Sequence, residues 1–158
     1  LERRPDDAVE VDDGPAQVPL PGTSIQDAIL TLLPWREFDL LLTHAPDGEY
    51  TWHRRHGEVS RAVRDLWWEG RLRTRRLWQF AYEDGGGAYS PQPQKAAAIQ
   101  LPLSEAIWAR KLEIISDIYG FSETNWELPA APRTEAFYCF GELDSIYLPG
   151  GMARSPTP

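Results

Sequence analysis

The 158-residue chain has one cysteine, two lysines and three histidines, and each scarcity excludes something. A lone thiol, Cys139, rules out an internal disulfide and a thiolate-built metal site. Its place within Phe137-Tyr-Cys-Phe140 suits a small buried hydrophobe. No apolar run reaches the roughly 18 residues that a membrane-spanning helix needs, and the first residues lack the basic, apolar, small-residue order of a secretory signal. These absences predict a soluble, cytoplasmic protein with no membrane partner. With 42% apolar residues, 158 residues suffice for one sizeable core and are too few for two domains.

With so little lysine, positive charge is nearly all arginine, fourteen of the sixteen basic residues. The net charge of −8 is unevenly spread: residues 1–49 carry eleven acids against three bases, whereas residues 53–78 carry eight arginines against three acids. Read with interleaved tryptophans, that island is one route to nucleic-acid binding, for which a steep loss of affinity with salt would be the mark. Such an arginine bias is more commonly background composition, and the acidic remainder carries no binding motif, so no nucleic-acid partner is expected.

Residues 1–22 are charged and rich in Pro and Gly without hydrophobic periodicity, and with no initiator methionine at Leu1 the chain reads as part of something longer. From Ser24, placed as a cap, Ile25, Ala28, Ile29, Leu32 and Leu33 make a helical stripe ending near Pro34. Phe38–Thr43 then reads as a buried parallel strand, and Val59, Ala62, Val63, Leu66 and Trp67 as a helix ending at Gly70 with arginines on its outer face. Leu77–Tyr82 is a further strand, and residues 83–98, with glycines at 85–87, a loop. Ser104 caps a helix stopped by Gly120, Glu135–Phe140 is a last strand, and residues 141–158 form a flexible tail. Helix, strand, loop and helix in this rhythm predict an α/β fold.

All three histidines, His44, His53 and His56, fall in one thirteen-residue window between a strand and a helix, where open α/β sheets bind ligands and metals. His53 and His56 are three apart, so on a helix they share a face. Neutral imidazole is a favoured zinc ligand, and a catalytic zinc commonly takes three protein ligands and a water. One His-x-x-His pair does not complete that set, and by itself so short a pattern fits two surface histidines at the start of an arginine-rich helix better than a metal site.

The whole stretch from Asp39 to Val63, Thr43-His44 leading through Gly48 to His53-Arg-Arg-His56, resembles the PIG-L/LmbE-like family of metal-dependent N-deacetylases. Leu66-Trp67, Phe80-Ala-Tyr-Glu-Asp-Gly85, Leu101-Pro102, Ile107-Trp108, Lys111, Tyr119-Gly-Phe121, Trp126-Glu127 and Glu135-Ala-Phe137 look like later landmarks of one bacterial branch, so the resemblance spans roughly residues 10–140. It implies a Rossmann-like, mostly parallel sheet flanked by helices over residues 23–140, and zinc-dependent hydrolysis of an N-acylated small molecule such as an amino sugar. By position it makes His56 a zinc ligand and His53 the group that stabilises or protonates the tetrahedral intermediate. Tyr50 falls one residue from a family tyrosine that reaches the same intermediate, and Arg55 stands where many relatives have aspartate.

The family's Ala-His-Pro-Asp-Asp-Glu motif, which supplies its other ligands and its base, is missing. Arg4-Pro-Asp-Asp-Ala-Val-Glu10 only echoes it, with arginine in place of the ligand histidine and no apolar strand before it. Asp12-Asp13 reads as a solvated loop. The chain is therefore expected to lack the first βα unit and most of the metal site, leaving either a truncated deacetylase or a non-catalytic relative that binds a ligand or partner. His44 is either substrate-facing or a strand-terminating polar residue; Glu49, with Asp47, is either a substrate contact or a solvated turn.

Overall fold

The computed structural model describes residues 18–46, 53–122 and 127–142. Their helices are α1 (Gly22–Leu32), α2 (Arg54–Trp68), α3 (Glu105–Glu113) and α4 (Glu127–Ala130). Their strands are β1 (Leu41–Thr43), β2 (Arg76–Phe80), β3 (Tyr82–Glu83), β4 (Gln92–Pro93), β5 (Ile99–Pro102) and β6 (Thr134–Gly141). Four strands make an open sheet in the order β1-β2-β6-β5, while β3 and β4 pair separately. This is a mixed α/β fold with helices flanking an open sheet. No helix among the described residues is long and apolar enough to cross a membrane.

Of the pairings in the four-stranded sheet, only β1 with β2 is parallel; β6 runs antiparallel to both β2 and β5. The sheet is therefore mixed, with β1, β2 and β5 running in one direction and β6 against them. The cause lies between β5 and β6: the excursion through α3 leaves and returns at the same end of the sheet, where Leu103 N donates to Arg133 O at 2.9 Å. Arg133 also binds Glu105 at 2.7 Å and lies 4.9 Å over the Trp108 ring, fixing the start of α3 to the start of β6. A crossover helix would have carried the chain to the opposite end and made the strands parallel.

Local sequence accounts for most elements. α1 begins at Gly22 with Pro21 as its N-cap, so Ser24 lies inside the first turn, its N–H given to Pro21 O at 3.0 Å, and does not cap. β1 is shorter than the apolar run Phe38–Thr43, although Phe38 N still bonds Arg73 O at 2.9 Å beside the approach to β2. Ser104 caps α3 as expected, its side chain accepting from Ile107 N. Beyond Glu113 that helix continues as a π-helical turn over Ile114–Ile118, and Gly120 follows with φ 77°. Glycines 85–87 all adopt positive φ, so the turn after β3 needs residues without a Cβ.

β2 organises the interior, because its side chains alternate between the two faces of the sheet. Gln79, fully buried, points toward α2 and donates to the buried Ser60 hydroxyl at 2.8 Å. Leu77 shares that face by alternation and, with Leu66 of α2 and Leu72, has 1% exposure or less; each contributes about 1.5–3 kcal/mol of burial. On the other face Trp78, Ile99 and Phe137 form a cluster, with Phe80 and Cys139 packed against it. Of the two adjacent tryptophans, Trp67 is half-buried and donates to Thr74 O at 2.9 Å, while Trp68 is exposed.

Candidate ligand and metal site

The three histidines meet where the parallel pair β1–β2 ends. His44 follows Thr43 directly, and the next residue, Ala45, is buried, so the chain passes tightly beneath the first turn of α2. Gly57 makes that approach possible: a Cβ there would stand 2.6 Å from the backbone oxygen of Pro46. His53 is the N-cap of α2, with extended backbone at φ −128° and ψ 121°, and His56 lies one turn further on. Their rings are 4.8 Å apart and tilted by 41°, as a three-residue spacing requires. His44 stacks on His56 with centroids 3.9 Å apart and planes within 3°.

A buried ion pair lies behind the histidines, and nothing in the sequence drew attention to it. Glu58 is 6% exposed, accepts from Arg55 Nη1 at 2.6 Å and takes the Leu20 N–H at 3.1 Å. Arg55 reaches Val18 O at 3.1 Å with its other nitrogen. Burial alone would raise the Glu58 pKa, but the Arg55 hydrogen bond, the Leu20 N–H and the charges of Arg55 and Arg54 outweigh it and hold the carboxyl below its usual range. Arg55 thus ties α2 to the segment before α1.

His56 also opens onto a cavity of about 780 Å³. Leu42, Phe80 and Phe137 supply its sheet side, and Ile115, Tyr119 and Phe121 its opposite wall. Lys111, Glu135 and Tyr82 line it too, bonded to one another. Lys111 Nζ lies 2.6 Å from Glu135 Oε1 and 3.1 Å from Pro132 O, the Tyr82 hydroxyl bonds Glu135 Oε2, and the same hydroxyl accepts from Ala136 N at 3.2 Å. Sequence reading gave these three only as landmarks. The available signal was Lys111 on the apolar side of its helix, facing a strand that begins with Glu135.

A larger cavity, about 1220 Å³, lies at the opposite end of the strands and is lined by Arg73, Arg75 and Arg76. It is remote from the histidines, and its arginines bind neighbouring groups of the chain: Arg73 to Glu37 at 3.4 Å, Arg75 to Glu142 at 3.8 Å, and Arg76 Nε to Asp39 O at 3.0 Å. Three of the island's eight arginines thus make contacts within the chain at this end, two of them in exposed ion pairs.

Of the residues singled out from sequence, His44, His53 and His56 are brought together, while Asp47, Glu49 and Tyr50 lie outside the described residues, as do Arg4–Glu10 and Asp12-Asp13. A zinc site built from the histidines alone meets a geometric objection. Imidazole nitrogen lone pairs lie in the ring plane, so two parallel rings stacked at 3.9 Å do not aim at one ion. Among the described residues no group of three His, Cys, Asp or Glu could hold a metal. Among the described residues the histidines therefore do not make a complete metal site. Compared with family models, curated proteins and solved structures, the chain matches none.

Proposed function

We propose that this chain carries the histidine wall of an N-deacetylase of the PIG-L/LmbE-like type, acting in the cytoplasm on an N-acylated small molecule such as an amino sugar. The observation that carries the proposal is His56, which belongs both to the histidine trio and to the wall of the 780 Å³ cavity. A scissile amide held at that wall lies beside His53, one helical turn away, which can protonate the departing amine and stabilise charge on the attacked carbonyl oxygen. His44, stacked on His56, fixes the plane of that ring and so the direction of its nitrogens. Zinc chemistry of this kind requires ligands beyond the described residues.

A second reading, a non-catalytic relative that binds its ligand through the same wall, is favoured by the lack of a third ligating group among the described residues. Zinc calorimetry on the full chain, combined with an assay for free amine released from N-acyl amines, separates the two. Micromolar or tighter zinc binding that is lost in His56→Ala, with zinc-dependent amine release, supports the hydrolase. Ligand binding with neither zinc binding nor amine release supports the second reading.

A further inference from the structure

We propose that the cavity beside His56 takes a hydrocarbon arm of the substrate, so that the preferred ligand is an amphipathic N-acyl amine and not a bare N-acetylated sugar; the inference rests on the reading of His56 as the polar end of the site. Three observations lead there. The cavity, at about 780 Å³, lies within the 300–1,000 Å³ usual for ligands much larger than an acetamide. Its walls are largely apolar, Leu42, Phe80 and Phe137 on one side and Ile115 and Phe121 on the other. Its polar cluster of Lys111, Glu135 and Tyr82 is internally hydrogen-bonded, with the charges of Lys111 and Glu135 paired at 2.6 Å.

A sugar placed in that space would surrender water from several hydroxyls and gain few partners in return, which is costly for each hydroxyl left unsatisfied. A hydrocarbon gains from the same walls. The opening itself has a structural origin. Among the described residues, α3 and the π-helical turn after it contain no fully buried residue, so they stand off the sheet and leave its Leu42–Phe80 face to line the cavity. The π-helical turn brings Ile115 to the cavity, and irregular turns of this type recur at functional sites.

The hydrocarbon can sit on either side of the amide. Two homologous series of probes, neither with a scissile bond, distinguish these sources: acetate, hexanoate, octanoate and decanoate for the acyl side, and the matching n-alkylamines for the amine side. Calorimetric titration of the full chain should give one equivalent of binding in one series, with affinity rising about four-fold per added methylene until the cavity is filled. The rise should flatten in Ile115→Trp, which narrows the cavity, and in Leu42→Asn, which makes a half-exposed wall residue polar with little risk to folding. Affinity independent of chain length in both series, as when the chain's own residues occupy the space, overturns the proposal. So does a chain-length dependence unchanged in both variants. Because no probe is hydrolysed, chain-length-dependent binding without amine release refutes the hydrolase reading alone, and amine release without chain-length dependence refutes this inference alone.

Discussion

Gly57→Ala is the substitution that most sharply tests how the histidines are held together. At an unconstrained helical position, glycine to alanine stabilises by about 0.4–1 kcal/mol, because alanine has less freedom to lose on folding. At Gly57 the added Cβ would lie 2.6 Å from Pro46 O, about 0.8 Å inside the 3.4 Å of an ordinary contact. Pro46 O belongs to the backbone, so relief requires the first turn of α2 and the segment after β1 to separate. Over-packing of this kind costs about 1–3 kcal/mol, which leaves a net loss of about 1–2 kcal/mol, or a melting temperature roughly 3–6 °C lower. Since His44 and His56 sit on the two separating segments, their 3.9 Å stack should open and their ring resonances shift. Gly22→Ala, with nothing within 4 Å of the added carbon, is the control and should be neutral or slightly stabilising. Urea denaturation and histidine NMR on both variants provide the measurements. A Gly57→Ala protein as stable as Gly22→Ala, with unshifted histidine resonances, would refute the close approach of α2 to Pro46.

Glu58→Gln should cost about 2 kcal/mol in urea denaturation, since it removes the carboxylate from a pair in which Glu58 is buried and Arg55 nearly so. Because the folded-state pKa of Glu58 is depressed, its contribution is fully present above the ordinary glutamate value of 4.5 and is lost as pH falls through the lower folded value; denaturation midpoints between pH 6 and pH 3 should decline more steeply in the native protein than in Glu58→Gln. Lys111→Met leaves Glu135 with Tyr82 as its partner and should cost about 1–2 kcal/mol, discounted because both charged groups are about a quarter exposed. Burial pushes the Cys139 thiol up to about 11 from 9.0, so its alkylation at neutral pH should run about 100-fold slower in the folded than in the urea-unfolded protein, as timed by mass spectrometry.

Elements with strong local signals were legible before the structure. The Ser104 cap, the parallel placement of the strand ending at Thr43 and the helix ending by Gly70 each follow from a residue or period that acts over a few positions. β5 was not legible: Ile99–Pro102 follows three alanines and ends in proline, and carries no strand signal of its own because only its edge position, paired with β6 alone, tolerates such a sequence. Strand direction beyond β2 was equally hidden, since it depends on where the excursion between β5 and β6 returns, a long-range fact set by contacts such as Leu103 to Arg133. For the site, a spacing of three was enough to bring His53 beside His56. It could not give the stack of His44 on His56, which needs the loop closed under Gly57, nor the cavity, which needs α3 to stand off the sheet. The Arg55–Glu58 pair was missed because an arginine and a glutamate three apart on a helix ordinarily face solvent.

The most direct test of the proposed chemistry is the release of free amine from an N-acyl amine by the full chain in the presence of zinc, set against the same assay on His53→Ala and His56→Ala. If His53 protonates the departing amine, its removal should slow release by about 100-fold or more, and loss of His56 should abolish zinc dependence. Release that is undiminished in both variants, or no release from any N-acyl amine by a chain shown to hold zinc, would contradict it.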